Sequence, residues 1–181
     1  VNSLLTKKLV SFVKGLDSTR PVTAGCNEPN SGNHLFRSGA LDVIGYNYHN
    51  KDIPHVPANF PDKPFIITES NSALMTRGYY RMPSDRMFIW PERWDKPFAD
   101  STFACSSYEN CHVPWGNTHE ESLKLVRDND FISGQYVWTG FDYIGEPTPY
   151  GWPARSSFFG IIDLAGFPKD VYYLYQSEWT D

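Results

Sequence analysis

Short apolar segments that suit β-strands alternate with helical segments along this chain, and this alternation restricts the folds that it can adopt. Strands are predicted over residues 21–26, 42–48, 65–68 and 134–139. Alternation of strands and helices is typical of an α/β fold with parallel strands. The third segment, Phe-Ile-Ile-Thr, has no polar alternation, which predicts a strand buried on both faces.

The helical patterns differ in strength. One apolar face, made of Leu5, Leu9, Phe12, Val13 and Leu16, predicts an amphipathic helix at the start of the chain. Thr118 and Glu121 form a capping box that predicts a second helix, ending near residue 129. Weaker patterns predict helices over residues 35–41 and 169–179, a short or broken helix over the proline-containing segment 50–62, and a long irregular binding-site wall over 72–115.

No glycine-rich phosphate loop follows any of the predicted strands, since neither G-x-G-x-x-G nor a G-K-[ST] ending occurs. A nucleotide-binding fold is therefore not favoured. The other common parallel architecture is the (β/α)8 TIM barrel, in which functional residues gather at the C-terminal ends of the strands. Four strands make half of such a barrel, so the prediction is one α/β domain over residues 1–181 that forms a partial TIM barrel.

Composition favours a carbohydrate ligand. Aromatic residues make up 16% of the chain, and the formal net charge is -5. Aromatic faces stack on sugar rings, whereas nucleic-acid binding depends on clustered Lys and Arg, which this sequence lacks. No apolar run reaches the ~18 residues that a membrane-spanning helix needs. We therefore expect a carbohydrate partner, no nucleic acid and no membrane span.

Cysteines and histidines predict neither a disulfide framework nor a metal site. Cys26, Cys105 and Cys111 are too few for such a framework, and reduced thiols are expected. The Cys and His residues between 105 and 119 lack the close cysteine spacing of structural zinc, so no metal or other cofactor is predicted. The chain starts without Met or a leader-like sequence, so we expect no signal peptide here and leave the compartment open.

Polar and aromatic side chains follow the predicted strands at the ends that a barrel would bring to one face. These side chains are Asn47, Tyr48, His49, Glu69, Trp138 and Asp142. Carboxylates, a tyrosine hydroxyl, an amide and an indole are the groups that glycosidase sites use. From the 65–69 segment alone, Glu69 fits equally well as a solvated carboxylate at the end of an ordinary strand.

Longer motifs resemble glycoside hydrolase family 2. They lie at residues 20–23, 42–48, 67–69, 137–148 and 159–163, and the string Val-Trp-Thr-Gly-Phe-Asp-Tyr-Ile-Gly-Glu-Pro-Thr over 137–148 is the most specific. The resemblance covers nearly the whole chain and is strongest to the β-galactosidases of that family. It implies that the chain is the second half of a catalytic TIM barrel, strands five to eight, in a larger enzyme.

The resemblance also implies roles for individual residues. Glu69, at the end of the seventh strand, corresponds to the nucleophile of a retaining hydrolase, which forms a glycosyl-enzyme intermediate on terminal β-galactosides. Tyr48 corresponds to a tyrosine that hydrogen-bonds the nucleophile, and Trp138 to a tryptophan of the sugar pocket. Asn47, His49 and Asp142 are expected to contact substrate beside them. Some β-galactosidases of the family use magnesium and sodium, but this sequence reveals no ligand set for either.

The family's acid/base glutamate precedes the helix with which this chain begins, and so we expect it upstream of residue 1. The fragment is therefore expected to be inactive alone and to pair with its missing half or with itself. Glu28 follows an Asn, as the family's acid/base does, but it comes after the fifth strand rather than the fourth, and we expect a loop residue. Ser70 and Asn71 stand where family members often have an aromatic residue and Gly.

Other functions remain open at the level of sequence. A non-catalytic carbohydrate-binding or scaffold unit would use the aromatic residues without turnover. Among enzymes, a β-glucuronidase or a β-mannosidase fits the same motifs. A glucuronidase would need cationic groups for the uronate, and Arg77, Arg81 and Arg86 in the long loop are the residues that would supply them.

Overall fold

The chain has a mixed α/β fold, as predicted, but its helices and strands do not alternate strictly: β2, β3 and β4 follow one another, as do β5, β6 and β7. In the computed structural model, residues 2–91, 102 and 104–181 are described. The elements are α1 (Ser3–Leu16), α2 (His34–Arg37), β1 (Ile44–Asn47), a 3₁₀ helix (Ile53–His55), α3 (Val56–Asn59), β2 (Phe65–Asn71), β3 (Phe88–Ile89), β4 (Cys111–His112), α4 (His119–Arg127), β5 (Ile132–Trp138), β6 (Tyr143–Ile144), β7 (Ser156–Ser157) and α5 (Asp170–Trp179). Part of the predicted 72–115 wall lies outside the described residues.

The chain divides into two compact units. The first comprises Val1–Ser70 and Leu123–Tyr136, and the second comprises Asn71–Ser122 and Val137–Asp181. A three-stranded sheet in the order β1-β2-β5 belongs to the first unit, except for the last residues of β2 and β5. The second unit contains two small sheets, one of β3 with β4 and one of β6 with β7.

The sheet of the first unit contains three of the four predicted strands. Strands β1 and β2 are parallel. The segment 21–26 does not form a regular strand, although it runs beside β1 with hydrogen bonds from Val43 N to Val22 O (3.3 Å) and from Asn47 N to Cys26 O (2.9 Å). The regular ladder fails because Pro21 has no N–H and the N–H of Val22 donates to the Asp42 carboxylate at 2.8 Å.

Strand β2 is buried chiefly through one face. Phe65 and Ile67 are fully buried, whereas Ile66 and Thr68 on the other face are partly exposed. The Phe65 ring meets the ring of Tyr46 edge-on, with centroids 5.1 Å apart. The expected burial on both faces is therefore only partly correct, and the strand's side chains alternate between the core and a more open face.

Helix α1 forms as its periodicity predicts, but its apolar face is exposed. Asn2 caps it by accepting a 2.8 Å hydrogen bond from Leu5 N. Only Thr6 and Val10 are buried, whereas Leu9, Phe12 and Leu16 are 55%, 67% and 75% exposed. The stripe that amphipathicity would direct to a core thus lies on the surface of this unit.

Local stop and start signals explain the end of α2 and the start of α4. Helix α2 ends earlier than its pattern predicts, because Gly39 follows in the left-handed region at φ 67°. At α4 the predicted capping box is present: Thr118 N donates to Glu121 Oε2 (2.9 Å) and Glu121 N donates to Thr118 Oγ1 (3.2 Å). None of the helices in the described residues is both long and apolar enough to cross a membrane.

Candidate active site

The C-terminal ends of β1 and β2 are joined at the residues that the sequence singled out. The backbone N–H of Tyr48 donates a 2.6 Å hydrogen bond to the carbonyl oxygen of Glu69. In the register of the two strands Tyr46 lies opposite Ile67 but Asn47 lies opposite Glu69, so that β2 contains one extra residue. Such bulges redirect side chains at the ends of strands. The first unit therefore brings Asn47, Tyr48, His49 and Glu69 together.

Tyr48 and His49 leave β1 in an unusual backbone conformation. Their φ angles are 56° and 59°, a region that non-glycine residues seldom adopt. Such conformations cost about 1–3 kcal/mol each and cluster at functional sites. A His49 ring nitrogen donates to the Asn27 carbonyl at 2.8 Å, and the carbonyl of His49 accepts from Asp52 N, also at 2.8 Å. These bonds hold the turn that follows β1.

The Asn47 side chain is oriented by its neighbours. Thr68 Oγ1 donates a 2.7 Å hydrogen bond to Asn47 Oδ1. Gly25 permits this arrangement, since a Cβ at that position would lie 2.7 Å from Asn47 Oδ1 and 3.2 Å from Nδ2. Sequence reasoning missed both Thr68 and Gly25. A glycine inside a predicted strand was the available signal, because it often marks a close approach of another group.

Glu69 is partly buried and lies between residues that are held firmly. On its C-terminal side the hydroxyl of buried Ser70 donates to the carbonyl of Tyr136 in β5 at 3.1 Å. The Glu69 backbone carbonyl accepts from Tyr48, as described above. The carboxylate is thus carried by a backbone fixed to strands on both sides, as a positioned reactive group requires.

Trp138, at the end of β5, belongs to the second unit. It is 36% exposed, and its indole N–H donates to the hydroxyl of Tyr143, whose ring it meets edge-on. The peptide bond between Trp138 and Thr139 is cis. The polar edge of this indole is therefore occupied, while about a third of its surface is accessible.

Asp142, which the sequence predicts to contact substrate, is buried in an ion pair of the second unit. Its carboxylate accepts hydrogen bonds from Lys169 Nζ (2.6 Å) and Gly160 N (2.8 Å), and the Asp142 and Lys169 side chains are 3% and 1% exposed. Burial raises the pKa of Asp142 and lowers that of Lys169, and their mutual attraction opposes both shifts. Because the carboxylate is buried and its Oδ1 accepts both bonds inside the second unit, the proposed substrate site leaves Asp142 out.

Glu28 lies in a polar loop of the first unit. It is exposed, its carboxylate accepts from Asn33 Nδ2 at 3.2 Å, and it lines an open cavity of about 470 Å³ formed by residues 25–35. The part of the chain that the structure describes contains no group of three or more His, Cys, Asp or Glu side chains able to hold a metal ion.

The known proteins that this chain is similar to are named as glycosidases, in agreement with the motifs. No model of a known protein family matches the chain. The chain is 96% identical over its 181 residues to Beta-galactosidase BoGH2A of Bacteroides ovatus, covering all of the chain and 21% of that protein. It is 31% identical to a Putative beta-glucuronidase of Formosa agariphila, covering 99% of the chain and 18% of that protein.

A solved structure gives the same result for the fold. A β-glycosidase from Bacteroides vulgatus superposes with a TM-score of 0.79 at 32% identity, covering 100% of this chain and 24% of that one. The chain spans about a fifth of the length of the curated relatives it matches. From its first residue to its last, the chain is similar to a segment of the glycosidases of glycoside hydrolase family 2, as its motifs predicted.

Proposed function

We propose that this chain is the part of a retaining β-galactosidase that carries its nucleophile, Glu69. The carboxylate attacks the anomeric carbon, the glycosidic bond to the leaving group breaks, and water then hydrolyses the glycosyl-enzyme ester. The observation that carries the proposal is the hydrogen bond from Tyr48 N to Glu69 O, which fixes a carboxylate-bearing strand end beside Asn47, Tyr48 and His49. A sugar-stacking role for Trp138, which belongs to the second unit, is part of the proposal and rests on its sequence motif alone.

The second carboxyl group of the proposed pair belongs to the rest of the longer enzyme. We propose that this chain is the second half of a TIM barrel. Segment 21–26, β1, β2 and β5 lie side by side in the same order as in the sequence, as consecutive barrel strands do. The exposed face of α1 supports this, since an apolar stripe of that size normally packs against another part of the protein. The isolated chain is expected to be inactive, because general acid catalysis contributes about 10²- to 10⁴-fold.

A galactoside is favoured over a glucuronide by the environments of two of the three loop arginines. Arg77 Nε is 2.5 Å from the carboxylate of Asp163, and its guanidinium lies over the ring of Phe167. The Arg86 guanidinium lies over the ring of Phe88. Arginines already paired in this way are poor candidates for binding a uronate. β-Glucuronidase activity is the second candidate, because one relative is named as a putative β-glucuronidase.

Removal and chemical rescue of the nucleophile test the proposal in the full-length protein. Glu69→Ala should lower hydrolysis of an aryl β-galactoside by several orders of magnitude. Added azide, a small anionic nucleophile, should restore turnover and yield the α-galactosyl azide, because it attacks from the face that the missing carboxylate used. The matched control is Glu28→Ala, which should keep wild-type activity.

Each other result has a defined meaning. A Glu69→Ala protein that retains activity, or is rescued without forming the azide adduct, contradicts the assignment of Glu69. Loss of activity in Glu28→Ala would make Glu28 part of the carboxyl pair. Turnover of an aryl glucuronide in preference to the galactoside would select the second candidate. Sugar binding without turnover of any aryl glycoside would identify a non-catalytic binding unit.

A further inference from the structure

Two cysteines of the second unit meet inside its core. The Sγ atoms of Cys105 and Cys111 are 3.6 Å apart, and the two residues are 5% and 2% exposed. The two sulfurs are not bonded to each other, and both residues pack in an apolar cluster with Leu74, Val113 and Phe159. The proposed glycosidase chemistry uses neither thiol.

The backbone holds the two cysteines beside one short stretch of chain. Cys105 N donates to Thr76 Oγ1 (3.0 Å), and Cys105 O accepts from Thr76 N (2.9 Å). Cys111 O accepts from Leu74 N at 2.8 Å. Their anchoring points are thus only two residues apart, and the sulfurs stay neighbours while these bonds persist. A disulfide has an S–S length of about 2.05 Å, so rotation of the two side chains must close the remaining gap.

We propose that Cys105 and Cys111 form an oxidisable dithiol, which a low-molecular-weight disulfide such as oxidised glutathione converts into an intramolecular disulfide. One thiolate attacks a sulfur of the oxidant and releases the first glutathione thiolate, leaving a mixed disulfide. The other cysteine then attacks that protein sulfur, forms the Cys105–Cys111 bond and releases the second glutathione. The protein loses two thiol protons and two electrons, and the oxidant becomes two molecules of reduced glutathione.

The environments of the sulfurs assign the first step to Cys105. The Tyr150 hydroxyl is 2.8 Å from Cys105 Sγ, where it can donate a hydrogen bond to a thiolate. Burial raises the pKa of the Cys111 thiol, and the adjacent Cys105 raises it further. Cys105 is therefore the attacking sulfur, and Cys111 resolves the mixed disulfide. Because both are buried, a local opening of the folded protein must first admit the oxidant to Cys105 Sγ, while the Tyr150 contact and the backbone anchors of the two cysteines stay in place.

Closure of this bond would stabilise a segment that supports α4. Between the two cysteines, Glu109 has a φ of 57°, and its carboxyl oxygen Oε1 accepts the backbone N–H of His119, the first residue of α4. A covalent link across residues 105–111 removes conformational freedom from the unfolded chain. The oxidised protein should therefore melt at a higher temperature than the reduced protein.

The test is refolding of the full-length protein in a glutathione redox buffer, followed by alkylation and peptide mapping. Cleavage after Glu109 separates the two cysteines, so that only a disulfide can hold their peptides together. We expect a linked pair containing Cys105 and Cys111, two hydrogens lighter than the sum of its parts and separated by reduction. Cys26 should be recovered alkylated.

Two cysteine variants provide the controls for this test. Cys26→Ser should give the same linked pair, whereas Cys111→Ser should abolish it and leave Cys105 as the mixed disulfide with glutathione. If both thiols of the wild type are fully alkylated after refolding, or if either pairs with Cys26, the proposal is wrong. This mapping does not depend on glycosidase activity, so its result is independent of the role of Glu69.

Discussion

Tyr48 N donates a 2.6 Å hydrogen bond to Glu69 O while Tyr48 itself has a left-handed backbone. The bond connects the strand end that carries the proposed nucleophile to the end of β1, where Asn47 lies, and to the turn that carries His49. Its geometry also depends on the extra residue in β2, which places Glu69 rather than Thr68 opposite Asn47. The site is thus built by backbone features that support each side chain.

Loss of the Thr68 hydroxyl should impair the site. Thr68→Val keeps the side-chain shape but removes the donor of the 2.7 Å bond to Asn47 Oδ1. An acceptor left without its partner costs about 1–3 kcal/mol, so kcat/KM for an aryl β-galactoside should fall by ~10- to 100-fold. Steady-state kinetics of the full-length protein measure this effect.

Thr23→Val is the matched control. Thr23 Oγ1 also donates a hydrogen bond, to Val43 O at 2.9 Å, but from an exposed position outside the proposed site. This variant should keep wild-type kcat/KM. Equal activity losses in the two variants would attribute the effect of Thr68 to general destabilisation, and an unaffected Thr68→Val enzyme would remove Asn47 from the site.

A methyl group at position 25 should displace the Asn47 amide. The Cβ of Gly25→Ala would lie 2.7 Å from Asn47 Oδ1, which is too close for the observed rotamer. A shift of this size in a substrate-binding group can cost up to about 10²-fold in rate, so we expect lower kcat/KM with the melting temperature nearly unchanged. Gly15→Ala, where no heavy atom lies within 4 Å of the added Cβ, should leave activity intact and stabilise α1 by about 0.5–1 kcal/mol.

The Lys169–Asp142 ion pair should be essential for the stability of the second unit. Lys169→Met leaves a buried carboxylate without its cation, which typically costs about 3–5 kcal/mol in the free energy of unfolding. Adding Asp142→Leu should recover part of this loss, because the uncompensated charge is then removed as well. Arg77→Met breaks the more exposed Arg77–Asp163 pair and should lower the unfolding midpoint far less than Lys169→Met. Similar unfolding midpoints for the two single variants would contradict this account.

Stability should depend on pH through Glu109. Burial raises its pKa from 4.5 to about 8. Between these values the folded protein keeps a proton that the unfolded chain has released, so this carboxyl makes the free energy of unfolding fall as pH rises from 4.5 to about 8. Glu109→Gln mimics the protonated form and should flatten that part of the profile.

His119 makes stability depend on pH in the opposite direction to Glu109. Wild type and Glu109→Gln both contain His119, so its effect is the same in each. Burial lowers its pKa from 6.5 to about 3, so its contribution to stability is lost as pH falls through that range. The difference between wild type and Glu109→Gln therefore isolates Glu109. Denaturant titrations across the range measure it, and parallel profiles for the two proteins would contradict the raised pKa.

Features set by neighbouring residues could be predicted from the sequence. The capping box of Thr118 and Glu121 depends on residues three positions apart, and it forms as predicted. Helix α1 follows from its apolar periodicity. The β-branched run that ends at Glu69 likewise forms β2, beside β1 in parallel orientation.

Features that depend on distant contacts could not be predicted. Asp142 meets Lys169, 27 residues away, and no local pattern shows that this carboxylate is buried in an ion pair. The Val22 N–H donates to the Asp42 side chain rather than to a backbone carbonyl. The first predicted strand, residues 21–26, therefore lacks a regular hydrogen-bond ladder. The left-handed conformation of Tyr48 and His49 was not predictable either, because non-glycine residues seldom adopt it and no local sequence pattern marks it here.

Covalent trapping tests the role of Glu69 most directly. A 2-deoxy-2-fluoro-β-galactoside with a good leaving group should inactivate the full-length enzyme. The fluorine slows both formation and hydrolysis of the glycosyl-enzyme, but the good leaving group keeps formation faster than hydrolysis, so the intermediate accumulates. Peptide mapping by mass spectrometry should then locate one fluorogalactosyl group on Glu69. A label on any other carboxylate, with Glu69 recovered unmodified from the inactivated protein, would contradict the assignment.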